Sequence, residues 1–178
     1  MISIVALSVI LLAGLLPRGA LAQGRDAVLS SAISARRSEL IAKATTAHAA
    51  EKRHSKKPYC QDRHYTQGDL NACAARELGI DLTYYRVFSD AIAQLIEIQE
   101  ADAREVDPVP YRKASVEFRT AEKSWQDYSD KACSAVASQN EGGSMQPLTD
   151  LSCRVQLTQR HMEELATVFS FLWDSSDR

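Results

Sequence analysis

From Leu70 onward the apolar positions recur at alternating three- and four-residue intervals, the spacing that lines one face of a long helix. A first stripe runs through Leu70, Ala74, Leu78, Tyr85, Phe88, Ile92 and Leu95, and Asp81 interrupts it two residues after Gly79. The interruption predicts a kink or a restart, with Asp81 either a local cap or a buried, partnered carboxylate. Asp107-Pro108-Val109-Pro110 stops this helix and opens the next, because aspartate caps and proline fits a first turn. A second stripe follows as Tyr111, Ala114, Phe118, Ala121, Trp125, Tyr128 and Ala132. The Asn140-Glu141-Gly142-Gly143-Ser144 segment ends it, since paired glycines favour a turn over a helix. The third stripe is Leu151, Val155, Thr158, Met162, Leu165, Phe169 and Leu172. No run alternates β-branched and aromatic residues between turn signals, so a sheet is not expected. The pattern predicts an all-α fold, an up-down-up bundle of three long helices over residues 60–173 with a short tail at 174–178.

The segment 23–59 reads differently. Its large apolar residues, Val28, Leu29, Ile33, Leu40 and Ile41, stop well before Tyr59, and it is rich in alanine. A partly helical leader ending in a solvated linker at Lys52–Lys57 is expected, whose deletion spares the bundle; folding back onto the bundle is the alternative. Charge gives that alternative a basis. The leader holds eight basic and three acidic residues, a net of +5, whereas 60–178 holds 12 basic and 20 acidic ones, a net of −8. Opposite signs attract across a short linker.

Residues 1–22 predict an address rather than a domain. An apolar run to Leu16, a break at Pro17-Arg18-Gly19 and small residues in Ala20-Leu21-Ala22 place signal cleavage before Gln23. The run is shorter than a membrane span, so no stable span is expected after cleavage. A periplasmic or secreted location follows. There the four cysteines, Cys60, Cys73, Cys133 and Cys153, predict two disulfides. Three connectivities are open; Cys60–Cys73 and Cys133–Cys153 are favoured because each clips adjoining segments across a short loop.

Composition excludes several functions. With 178 residues, 45% of them hydrophobic, and a net charge of −2, the chain is neither low-complexity nor a generic polyanion binder, so no nucleic-acid partner is expected. His48, His54, His64 and His161 are scattered and no CxxC occurs, so no metal or cofactor is expected. GxSxG, HExxH and P-loop spacings are absent, and two bridges leave no cysteine as nucleophile. The chain reads as a non-enzyme.

Three motifs carry a resemblance. Asp69-Leu70-Asn71-Ala72-Cys73-Ala74 resembles the "ELNxCA" opening of the LprI-like lysozyme-inhibitor family. Ala121-Glu122-Lys123-Ser124-Trp125 with Tyr128, Asp130 and Cys133 is similar to its "AQRxWxxYRDxxC" helix. Gly142-Gly143-Ser144, Cys153, Leu157-Thr158-Gln159-Arg160 and Glu164-Leu165 are similar to its "GGS…C…LTxxR…EL" ending. The chain departs from the family at Glu122, where Gln is common, at Ser129, where Arg is common, and at Tyr84-Tyr85, where Leu-Asn is common. The resemblance implies a helical, disulfide-bonded, exported domain that binds a protein, with a lysozyme as the leading candidate; a non-catalytic envelope interaction module with another protein partner is the alternative. Within the motifs, Trp125 on its stripe is expected in the core and Asn71 at a helix start. Asp130 and Arg160 are expected to pair with each other or with backbone. Gly142, Gly143 and Ser144 either close a turn over the second bridge or form a binding loop.

Overall fold

Thr66 and Asp69 start the central helix by capping one another. The Asp69 backbone N–H donates to Thr66 Oγ1 at 3.2 Å, and the Thr66 N–H donates back to Asp69 Oδ2 at 3.0 Å. This reciprocal cap satisfies donors that a helix start leaves unpaired. The Thr66 donors also hold the Asp69 carboxyl below its ordinary range. Asn71, expected at the helix start, lies one turn further in and accepts from Gln67 Nε2 at 3.1 Å.

The computed structural model describes residues 18–57, 66–106 and 113–174, and every regular element there is helical. The long helices are α1 (Arg18–Ser55), α2 (Gln67–Val106), α3 (Ala114–Ala137) and α4 (Gln146–Val168). One 3-10 turn (Ser138–Asn140) follows α3, and a short α5 (Phe171–Asp174) follows α4. The expected all-helical fold is present, but with a fourth long helix where a partly helical leader was expected. The signal run before Arg18, Cys60 with its pairing to Cys73, the Asp107–Pro110 break and Tyr111 lie outside the described residues.

The chain divides into compact units 1–34 and 35–178. In the first, Val28 and Leu29 are exposed on the helix. In the second, α2 touches α3, α4 and α5, and α3 touches α4. Tyr85, Phe88, Ile92 and Leu95 of the first stripe are buried, and so are Thr158, Met162, Leu165 and Leu172 of the third. No restart occurs at Gly79–Asp81: α2 runs unbroken through it, and Asp81 turns inward and accepts from Gln159 Nε2 of α4 at 2.9 Å. Asp81 is thus the partnered carboxylate and not the cap.

Two expectations are corrected. The buried stripe of α3 is Ser115, Phe118, Glu122, Ser129, Cys133 and Ala137, rotated from the sequence pattern. Ala121 and Tyr128 face solvent, Tyr128 at 60% exposure. The disulfide sets this phase. Cys133 must point at Cys153, and positions 4, 11 and 15 residues before it share its face. The apolar letters marked the neighbouring face.

The second correction concerns the leader. Leu40, Ala44 and Ala47 of α1 belong to the same buried cluster as Phe88 and Ile92 of α2. The stripe was hard to see because two of its three apolar members are alanines, which let helices approach closely while contributing little area. Lys52 and His54, expected in a linker, are helical and reach Glu163 and Glu77 of the acidic helices at 3.1 and 2.5 Å. Folding back is the arrangement adopted.

Leu40→Ala is therefore expected to lower unfolding free energy by about 2–4 kcal/mol, the cost of a cavity at a fully packed site. Leu29→Ala, on the exposed stretch of the same helix, should stay within about 0.5 kcal/mol. Urea melts of the two variants check this. Equal and small effects would return α1 to the status of a dispensable leader.

Candidate functional site

The hairpin of α3 and α4 is built by pairs whose numbers rise on one helix as they fall on the other. Cys133 bonds Cys153 with Cα atoms 5.5 Å apart, Asp130 pairs with Arg154, and Glu122 meets His161. This is the favoured second bridge, and no described cysteine is free. Closing a loop of 20 residues, it is worth about 3 kcal/mol against the unfolded chain. Asp130 thus finds Arg154, with Asp150 as the second carboxylate on that guanidinium; Arg160 is an exposed residue further along α4. The Asp150 and Asp130 contacts raise the Arg154 pKa, against a smaller opposing effect of burial.

Beyond the bridge lies the tip. Gly142 adopts φ +75°, where a side chain is strained, and a Cβ on Gly143 would stand 3.1 Å from the Asn140 carbonyl oxygen. The glycines therefore follow from the turn itself. The loop is tied at several points: Gly143 N–H to Asn140 O at 2.9 Å, Gln146 N–H to Gly143 O at 3.2 Å, and Asn140 Nδ2 to Thr149 Oγ1 at 3.1 Å. Gly142, Gly143 and Ser144 are all exposed, and Met145 beside them is 47% exposed. Behind the tip, Asp130, Lys131, Ser134, Ser138 and Arg154 line a shallow groove of about 670 Å3. Chemically this is a braced, solvent-facing turn with an apolar edge at Met145.

Beneath the tip sits a polar cluster that the sequence pattern did not single out. Glu122 is 8% exposed; one oxygen accepts from the Tyr85 hydroxyl at 2.9 Å and the other lies 2.8 Å from His161 Nε2. Trp125 stacks on the His161 ring, centroids 4.0 Å apart and planes within 8°, and leans on Tyr85 at 5.1 Å. Burial, opposed by a Gln126 donor and aided by Glu122, pushes the Tyr85 phenol above its ordinary range. Trp125 is accordingly a half-buried packing residue at the edge of the core, where its stripe placed it. The signal for Glu122 was its spacing of 11 residues from Cys133, which puts both on one face. Among the described residues no group of three or more His, Cys, Asp or Glu side chains could hold a metal ion, and no helix is long and apolar enough to cross a membrane.

This cluster joins three helices, so removing its centre should be costly. Glu122→Ala is expected to destabilise by about 2–4 kcal/mol, leaving Tyr85 and His161 without their shared acceptor. Glu122→Gln, which keeps an acceptor for Tyr85, should cost less than half of that. Thermal melts of both variants decide; a neutral Glu122→Ala would mean the cluster is not structural.

The match to known proteins follows the hairpin and the helix that supports it. The family model described as "Lysozyme inhibitor LprI" matches residues 60–165, from the first cysteine to the buried Leu165 of α4. An uncharacterized protein of Rhizobium meliloti (strain 1021) is 29% identical over 113 residues, 61% of this chain and 76% of that protein. No solved structure matches. The bridge, the double-glycine tip and the α2 opening all fall inside the matched region, and with more than half of its length matched the chain belongs to the lysozyme inhibitor LprI family.

Proposed function

We propose that this protein is an exported, non-catalytic inhibitor that binds a lysozyme and blocks its cleft with the tip of the α3–α4 hairpin. The observation that carries the reading is the exposed Gly142–Ser144 turn, braced by its own hydrogen bonds and by the Cys133–Cys153 bridge. A contact loop that is already ordered loses little conformational freedom on binding, so more of its contact energy remains as affinity. Family membership supports the partner class. Charge supports it too: residues 60–178 carry a net of −8, the sign that steers association with a strongly basic enzyme.

Export rests on residues 1–22 acting as an address removed before Gln23, with the domain at 60–173 working in the periplasm or outside the cell. A disulfide persists in that setting. In this reading Arg160 and Tyr128, both exposed further down the hairpin, are surface residues away from the tip.

The test is titration of the oxidised mature protein into lysozyme lysis assays of several enzyme classes. Saturable inhibition is expected. Ser144→Arg, which adds bulk and repulsive charge at the tip, should weaken it by about tenfold or more. Selective reduction of the bridge should weaken it as well. A folded protein that inhibits no lysozyme would overturn the proposal and direct the search to another envelope protein as partner.

A further inference from the structure

Four ionisable side chains on the last three turns of α1 meet an acidic lining from two other helices. Glu51 is 2% exposed and Asp81 of α2 fully buried, with Oδ1 of Asp81 lacking any hydrogen-bond partner. His54 Nε2 stands 2.5 Å from Glu77 of α2, and both side chains are largely buried. On the α4 side, Glu163 lies 3.4 Å from His48 Nε2 and 3.1 Å from Lys52 Nζ. Gln159 of α4 donates to Asp81, and the His48 ring stacks on Phe88 at 5.3 Å. The groups bearing on Glu51 and Asp81 are therefore Lys52, His54 and Ser55 from α1, Glu77 from α2, and Gln159 and Glu163 from α4.

We propose that this junction is a pH-sensitive latch, closed in mildly acidic solution and released in alkaline solution, which governs the docking of α1 residues 44–55 onto α2 and α4.

The two buried carboxyls act in the same direction. Burial raises the Glu51 carboxyl above its ordinary range, and the charges of Asp81 and Glu163 raise it further. Burial likewise raises Asp81, against the Gln159 hydrogen bond. A carboxyl with a raised folded pKa favours the docked state below its unfolded value, and that contribution is lost as pH rises through the folded value. Rising pH thus adds two buried, mutually repelling charges at Glu51 and Asp81. The Lys52–Glu163 attraction persists, but it is half exposed and screened. The α3–α4 hairpin is closed by a covalent bond, which proton concentration does not open. This inference is independent of the lysozyme reading; it concerns only how α1 is held.

Amide hydrogen exchange of the full-length oxidised protein tests it, at about pH 5.5 and about pH 8, with rates normalised to intrinsic exchange at each pH. Protection of residues 44–55 should fall by about tenfold or more at the higher pH, the effect of one pKa unit of differential proton binding. Amides around Cys133 and Cys153 should not change. In the isosteric Glu51→Gln/Asp81→Asn variant the fall should shrink to less than about threefold, and the single Glu51→Gln variant should give an intermediate value. Unchanged α1 protection in the unmodified protein, equal loss in all helices, or a full-sized fall in the double variant would each overturn the latch.

Discussion

The Cys133–Cys153 bond is the constraint on which the rest of the hairpin depends. It fixes the rotation of α3 about its axis, and rotation decides which residues are inside. With Cys133 inward, Ser129, Glu122, Phe118 and Ser115 must be inward too, and Tyr128 must be out. The same bond sets the register against α4, so that Asp130 reaches Arg154 and Glu122 reaches His161. Beyond it the chain reverses through a turn with a left-handed glycine at Gly142. One covalent link thus couples an exposed contact surface to a buried polar cluster.

That coupling has an energetic cost. An interior holding Glu51, Glu77, Asp81 and Glu122 gives up hydration that an apolar interior would not. Two of these offset the loss through close partners: Glu122 has Tyr85 and His161, and Glu77 has His54. Asp81 recovers one of its two oxygens through Gln159, and Glu51 faces other carboxylates. The partnering is therefore uneven: Glu122 is met on both oxygens, whereas one oxygen of Asp81, where α1 docks, has no hydrogen-bond partner. A junction that is poorly satisfied is one whose stability changes with proton concentration.

The legible parts of the chain were those where large apolar side chains carry the burial. The stripes of α2 and α4 were read correctly because Tyr85, Phe88, Ile92, Met162 and Leu165 advertise their faces. On α3 the inward face carries Phe118 and Ala137 but is otherwise serine, glutamate and cysteine, while the apolar Val116, Tyr128 and Val136 are exposed. Letters alone gave the wrong phase there, while the cysteine, read as an inward-pointing anchor, gives the right one. On α1 the buried face is Leu40 followed by small residues and Glu51, too little apolar area to register as a stripe. The tip residues were found through paired glycines, but its bracing by Asn140 and Thr149 could not be, since it depends on how the turn closes. Arg154 was missed because its two partners are 4 and 24 residues away on different helices.

The family match and the packing do not end at the same residue. The match begins at residue 60, yet the core cluster begins at Leu40. Helix α1 supplies Leu40, Ala44 and Ala47 to a surface of α2 that also carries Phe88, Ala91 and Ile92. Without α1 those side chains would form an exposed apolar face, so in this chain α2 is built to be covered. The cover is held by small side chains, which give modest apolar burial, and by ionisable ones, whose contribution depends on conditions. The hairpin is held by a covalent bond as well as by the Glu122 cluster. The α3–α4 hairpin and α1 therefore join the same small core by different means, the one with a covalent bond and the other with side-chain packing and charged groups alone.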